Sequence, residues 1–266
     1  FTRGWEHSEW RPELKLLAAR NFQAPRWAGS PLAGKRLLVY DEQGLGDSLH
    51  FARFLPLLAE RGARVILECH RPLARLLASC PGVSEVIPRG DPLPDYDLHV
   101  PLLSVAGMLD TSLATIPAAV PYLSVDPPRS EAWRRRLAGD ALKVGLVWQG
   151  SLHHQGDRYR SIALDELSRH IVAPGVKFFS LQKGAGREQL AAVAGPLMIE
   201  DLADELHDFA DTAAALTHLD LLISCDSAPA HLAGALGVST WIPLHFSPDW
   251  RWLLGRDDSP WYPSIR

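Results

Sequence analysis

From residue 36 onward, apolar runs of strand length alternate with amphipathic segments of helix length. RLLVY (36–40) is followed by an expected helix over 47–61, then ARVILEC (63–69), a helix over 72–79, VSEVI (83–87) and YDLHV (96–100). This is the rhythm of βαβ units. It breaks where Pro117, Pro121, Pro127 and Pro128 cluster ahead of a short charged helix, and it restarts at KVGLVWQG (143–150). The second half then reads as a strand over 143–148, a helix from Leu164, a strand over 176–182, a helix from Gly186 and a helix around 209–218. A strand over 219–225, a helix from Ala228 to Leu236 and a strand over 239–244 complete it. The pattern predicts an α/β chain with two doubly wound parallel sheets in tandem: a junction over 1–34, one domain over 35–125, a linker over 126–142 and a second domain over 143–266. Sheets of this class bind ligands beyond the carboxyl ends of their strands, which directs attention to the loops after 36–40, 143–148, 176–182 and 219–225.

Composition narrows the classes. The 266 residues, 47% hydrophobic and 22% charged, are enough for one large or two modest cores. A formal net charge of −4 supplies no global attraction for nucleic acid or anionic lipid, so any anion site must be local. Three cysteines, Cys69, Cys80 and Cys225, are an odd number without metal-ligand spacing, which points to reduced thiols and a cytoplasmic location. No apolar run approaches membrane-spanning length. The aromatic opening, which starts at Phe1 rather than Met, reads as the joint to a preceding domain.

Each of the four loops carries polar or glycine residues. In DEQGLGD (41–47), Gly44 and Gly46 are expected to permit positive φ and close backbone approach, with Asp47 as N-cap of the next helix. Asp47 is either a cap or a general base facing a neutral hydroxyl, since a carboxylate there would repel phosphate. The loop lacks the third glycine of a dinucleotide fingerprint and the lysine of a P-loop. QGSLHHQGDRYRS (149–161) could wrap a phosphate with backbone N–H groups around Gly150 and finish on Arg158 or Arg160, or it is a solvated loop. Only five of the 27 cationic residues are lysines, and Lys183 alone follows a strand exit, where it either meets a diphosphate oxygen or snorkels along the surface. In SCDSAPAHLAGALG (224–237), Asp226 and Ser227 open a helix of small residues whose N-terminus is a ready anion site. His231 is either a packed, hydrogen-bonded side chain or part of that site.

EQGLGDSLHFARFLPLL, FFSLQKG, DFADTAAALTHLDLLISCDSAPAHLAGALG and DWRWLLGRDDSPWYPSIR, in that order, resemble the glycosyltransferase-like domain that follows tetratricopeptide repeats in many bacterial proteins, a relative of the heptosyltransferase family. The resemblance covers nearly the whole chain. It implies the GT-B fold, two Rossmann-like domains facing across a cleft, with nucleotide-sugar in the C-terminal domain and acceptor in the N-terminal one. It places Asp47 on the catalytic base, and Arg160 and Lys183 on cations that hold the donor diphosphate. Asp226, Ser227 and His231 fall on the motif opening the donor-side helix. Pro229 departs from the small residue expected there but suits a first helical turn.

The implied reaction is inverting transfer of a sugar from a nucleotide-diphosphate donor to an acceptor hydroxyl, on a protein or a glycan. No metal and no cofactor beyond the donor substrate are expected, and nucleic acid is not. Two other classes stay open: a silent binding module for a nucleotide-sugar or protein, and a sugar-nucleotide epimerase. Trp250, Trp252 and Trp261 in the terminal segment are expected to pack back as core, and the aromatic amino terminus to offer a face to a preceding repeat domain.

Overall fold

The computed structural model describes residues 1–11, 21–193 and 197–266. It divides into two compact units, one of 1–118 with 122–124 and the other of 119–121 with 125–266. The first contains a four-stranded parallel sheet of β1 (Arg36–Tyr40), β2 (Arg64–Cys69), β3 (Val83–Pro88) and β4 (Leu98–Pro101), ordered β3-β2-β1-β4. The second contains a five-stranded parallel sheet of β5 (Leu142–Val147), β6 (Val176–Ser180), β7 (Ile199–Asp201), β8 (Leu221–Ser224) and β9 (Thr240–Trp241), ordered β7-β6-β5-β8-β9. Both orders reverse direction beside the first strand, so each unit has one switch point, between β1 and β4 and between β5 and β8. Strands covered on both faces tolerate apolar residues at every position, and Leu37, Leu38 and Val39 of β1 are all fully buried.

The expected helix over 47–61 is two helices. Leu45–Phe51 gives way to a 3-10 turn, Ala52–Phe54, before Leu55–Glu60. Pro56 sits in the first turn of the second helix; it has no N–H to donate back and its ring crowds the preceding turn, so one continuous α-helix is not available. The segment from Gly186 forms a 3-10 helix, Arg187–Ala192, with Gly186 at φ +89°, and β7 is a short edge strand with no counterpart in the expected pattern. The helix Ala228–Leu236 has the expected limits and closes on Gly237 at φ +74°. Within the span expected as a linker lies the helix Pro127–Arg136. Asp126 caps it by accepting from the Arg129 N–H at 3.2 Å, and the helix is part of the second unit.

Residues of the expected 1–34 junction pack on the first unit. The Trp5 indole donates to the Thr111 carbonyl at 2.7 Å, and Trp27 is buried with its backbone N–H on the His99 carbonyl. These two rings are therefore packed against their own unit, while Trp10 is exposed. Residues 12–20 of that junction lie outside the described residues. In the second unit, Trp148, Leu146, Leu164 and Phe178 share one apolar cluster. Trp261 and Tyr262 are fully buried, and the chain end runs beside β9 through bonds from Arg266 N to Thr240 O and Ile242 N to Arg266 O, both 2.9 Å. Among the described residues no helix is long and apolar enough to cross a membrane.

Candidate functional site

The loop leaving β1 carries the expected base, in a different cap position. Gly44 is the N-cap, and Asp47, three residues into the helix, accepts from the Gly44 N–H on its Oδ2 at 3.0 Å. Neither glycine uses the left-handed region: Gly44 has φ −76° and Gly46 is helical. Gly44 is explained by proximity instead, because a Cβ there would stand 3.3 Å from Asp47 Oδ2.

Asp41, six residues earlier, was not singled out by the sequence. It is 1% exposed, and its Oδ2 accepts from the His70 N–H at 2.6 Å, from His70 Nδ1 at 2.5 Å and from Ser48 Oγ at 3.3 Å. Arg89 donates to the other carboxylate oxygen and, at 2.7 Å, to the Asp41 carbonyl, while its Nη1 lies 3.3 Å from His70 Nε2. An ionised carboxylate only accepts, so His70 donates from Nδ1 and offers Nε2 to the guanidinium. Burial pushes the Asp41 carboxyl up, but the hydrogen bonds it accepts from His70 and the charge of Arg89 outweigh it and hold the group below its usual range. The arrangement ties the ends of β1, β2 and β3 to Ser48, the neighbour of Asp47. DEQGLGD begins with this acid, but its partners lie 29 and 48 residues away and leave no local trace.

In the second unit the loops after β5 and β6 are joined by Gln182, 2% exposed. Its Oε1 accepts from the N–H groups of Trp148 (3.1 Å) and Gln149 (3.0 Å), and its Nε2 donates to the carbonyls of Gln149 (3.0 Å) and Ala185 (2.8 Å). A buried amide satisfied on both ends is a rigid clamp. Gln182 precedes Lys183 in the chain, and an uncharged amide at a strand exit carries no signal of this role in the sequence.

Arg160 bridges the β5 and β8 loops beside the switch point. Its Nε donates to Asp157 Oδ1 at 3.1 Å and its Nη1 to the Asp226 carbonyl at 2.8 Å, while Asp157 Oδ2 accepts from Gln149 Nε2 at 2.5 Å. Gly150 makes room for this: a Cβ there would fall 2.3 Å from Asp157 Oδ1 and 2.6 Å from Arg160 Nε. Beside this loop a pocket of about 510 Å³ opens among Gln149, Leu152, His154, Arg158, Ser161 and Gln189. Arg158 itself donates to the neighbouring Tyr159 hydroxyl and stands over that ring.

Ser227 is the N-cap of Ala228–Leu236 but makes no side-chain cap; its hydroxyl donates to the Cys225 carbonyl at 3.2 Å. Asp226 lies beside it with Oδ1 3.8 Å from His231 Nε2, and the Trp252 indole N–H approaches the carboxylate without closing a well-aligned bond. Burial raises the Asp226 carboxyl above its usual range; Asp249 adds to that, while Trp252, Arg251 and Arg160 oppose it. A carboxyl raised on folding favours the fold more as pH falls through its folded value and less above it. Asp226→Asn is therefore expected to unfold at the same or a higher temperature than wild type at pH 7, and to lose that advantage near pH 4. A lower melting temperature at pH 7 would contradict a carboxyl that burial raises above its usual range.

The structure thus brings Gly150, Arg160, Asp226, Ser227 and His231 together. Lys183 is not joined to them by a hydrogen bond: its ammonium donates to the carbonyls of Ala203 (3.1 Å) and Leu206. The one Asp-x-Asp triplet of the sequence, Asp95 to Asp97, lies at the opposite end of its sheet. There Asp97 accepts from Arg36 Nη2 at 3.0 Å and Arg36 N at 2.8 Å, which hold its carboxyl down to about 2. Among the described residues no group of three or more His, Cys, Asp or Glu side chains is placed to hold a metal ion.

No family model matches the chain. It is 32% identical over 290 aligned positions to protein FlbA of Caulobacter vibrioides, covering 99% of this chain and 48% of that protein. The chain therefore spans about half the length of the curated relative it matches. Its structure is similar to that of E. coli ADP-heptose LPS heptosyltransferase II, with TM-score 0.61, 16% identity and coverage of 87% of this chain and 89% of that one. It is also similar to the glycosyl transferase family 9 protein of Veillonella parvula DSM 2008, with TM-score 0.60, 13% identity and coverage of 81% and 82%. The fold is accordingly the α/β GT-B fold of the heptosyltransferases, built from two Rossmann-like parallel-sheet units.

Proposed function

We propose that the chain is a glycosyltransferase that moves a sugar from a nucleotide-diphosphate donor to an acceptor hydroxyl with inversion. The observation that carries this reading is the Arg160 bridge at the switch point of the second sheet. A guanidinium fixed by Asp157 and the Asp226 carbonyl lies beside the N-terminus of Ala228–Leu236, where backbone N–H groups favour an anion. The second unit would hold the donor diphosphate there, and Lys183 would add charge by exchanging a carbonyl partner for a phosphate oxygen. Arg160, Lys183 and the helix would stabilise the charge that develops on the departing nucleoside diphosphate, so that no metal is required for that task. Asp47 of the first unit would take the proton of the acceptor hydroxyl as it attacks the anomeric carbon. The similarity to an ADP-heptose transferase favours ADP as the nucleotide. The acceptor would be a hydroxyl of a protein or cell-surface glycan, and in the longer protein a tetratricopeptide-repeat region would present it.

A second reading, a silent nucleotide-sugar or protein-binding module, is favoured by one observation: the Lys183 ammonium already has two carbonyl partners. Nucleotide release from an ADP-sugar separates the two, and thermal shift and calorimetry with ADP, UDP and GDP in EDTA test the donor site itself. At a hundredfold excess over Kd, ADP is expected to stabilise wild type by about 2.7 kcal/mol. Lys183→Ala is expected to weaken ADP about tenfold, the loss of one charge-assisted hydrogen bond. ADP binding unchanged by Lys183→Ala would make this lysine structural, and a folded protein that binds none of the three would overturn the transferase reading.

A further inference from the structure

The carboxyl-terminal segment, 31 residues beyond His231, reaches back to it. The Tyr262 hydroxyl lies 3.0 Å from His231 Nδ1, and the Trp252 indole stacks on the imidazole with ring centres 5.6 Å apart and planes 13° from parallel. His231 is 6% exposed and Tyr262 is fully buried. The tyrosine ring can come this close because residue 234 is glycine: a Cβ there would stand 2.4 Å from Tyr262 Cδ1. Backbone bonds from Thr240 N to Ser264 O (3.0 Å) and from Arg266 N to Thr240 O (2.9 Å) fix the segment beside β9. That approach brings the hydroxyl within hydrogen-bond distance of one ring nitrogen, Nδ1.

The other nitrogen, Nε2, faces Asp226 Oδ1 at 3.8 Å. The charged and titratable groups around this corner are Asp226, Asp249, Arg251 and Arg160. A neutral imidazole carries one proton, and a carboxylate offers only lone pairs, so the arrangement without repulsion has the proton on Nε2 and leaves Nδ1 to accept from the tyrosine O–H. The same choice suits a phosphate oxygen, which an Nε2 lone pair would repel.

We propose that Tyr262 is a positioning residue of the donor site: it donates to His231 Nδ1 and so locks His231 in the Nε2–H form, presenting an N–H donor at the mouth of the donor-side helix. This rests on the reading of the second unit as a nucleotide-diphosphate site. The three buried thiols offer no comparable arrangement: burial pushes Cys69 and Cys80 to about 12 and Cys225 to about 11, and none of them forms a disulfide.

Long-range proton–nitrogen spectra of ¹⁵N-labelled protein at pH 8 report which imidazole nitrogen carries the proton, and His231→Gln identifies the His231 signals. Wild type is expected to show protonated Nε2 and unprotonated Nδ1, and Tyr262→Phe, which keeps the ring, is expected to show a mixture of both forms. ADP affinity by calorimetry is expected to fall about tenfold in Tyr262→Phe, as for loss of one hydrogen bond in a buried network. Protonated Nδ1 in wild type overturns the proposal even if Tyr262→Phe does not fold. So does an unchanged spectrum in a folded Tyr262→Phe, or weakened ADP binding without a change of tautomer. Should wild type bind no ADP while the spectra come out as expected, the donor reading fails and takes the functional role of Tyr262 with it, leaving the tautomer lock as a structural contact.

Discussion

Asp47→Asn is expected to lower kcat by about 10² to 10⁴-fold while leaving ADP affinity within a factor of two of wild type. The substitution is nearly isosteric. An asparagine carbonyl can still accept from the Gly44 N–H, which Asp47 Oδ2 engages at 3.0 Å, so the helix start and the Gly44–Asp47 turn are preserved. What disappears is basicity, because an amide does not take a proton from a hydroxyl. The readout is nucleotide release from whichever ADP-sugar binds, with acceptor and with water as nucleophile, alongside calorimetry with ADP. Loss of turnover with intact binding is the signature of a group that acts only in the transition state. A variant within threefold of wild type would show that Asp47 is a cap and nothing more, since a cap residue contributes about 1 kcal/mol to stability and nothing to rate.

Arg160→Leu is expected to destabilise the second unit by about 3 kcal/mol and to abolish ADP binding at concentrations that saturate wild type. Two effects combine. Asp157 is 6% exposed, and without the guanidinium its carboxylate keeps Gln149 as a hydrogen-bond partner but loses its counter-ion. Breaking a buried pair from one side leaves an uncompensated charge, which is why the penalty exceeds that of a surface ion pair several-fold. The Asp226 carbonyl also loses its donor, and with it the loops after β5 and β8 lose their link. Arg160→Lys should recover charge but not the two-directional geometry, falling between wild type and Arg160→Leu in both urea stability and affinity. Asp157→Asn combined with Arg160→Leu should be more stable than Arg160→Leu alone, because no buried charge is then stranded. A loss below about 1 kcal/mol in Arg160→Leu would mean that water reaches Asp157 freely and the bridge is not a fixed element.

The architecture was legible because its signals are local. Runs such as RLLVY and KVGLVW become buried central strands, and the order of strands and helices restricts the topology to parallel sheets with crossover helices. The helix Ala228–Leu236 was legible to the residue because its start and end are written in the chain: a strand end, a proline in the first turn and a glycine after the last. Errors fell where one residue overrides a periodic pattern. Pro56 splits an otherwise continuous apolar face, and a positive-φ Gly186 starts a 3-10 segment where the pattern reads as α-helix. The three-residue β7 is too short to show a period at all.

The candidate site was half legible. Asp47, Gly150, Arg160, Asp226, Ser227 and His231 were accessible to inspection because they occupy the loops and helix starts that follow recognisable strands. Their partners were not: Arg160 meets the Asp226 carbonyl across 66 residues of chain, Gln182 meets Gln149 across 33, and Arg89 meets Asp41 across 48. The sequence by itself determined the fold class, the switch-point loops and which chemical groups could stand there, since propensity and periodicity act over a few residues. Only the tertiary structure decided which of those groups are held, by what and how tightly: Lys183 turned to backbone carbonyls, Asp41 clasped by His70 and Arg89, His231 fixed by Tyr262. Hydrogen bonds and buried charges are satisfied by whatever the folded chain brings within about 3 Å, and that proximity is a property of the packed sheets and not of any stretch of sequence.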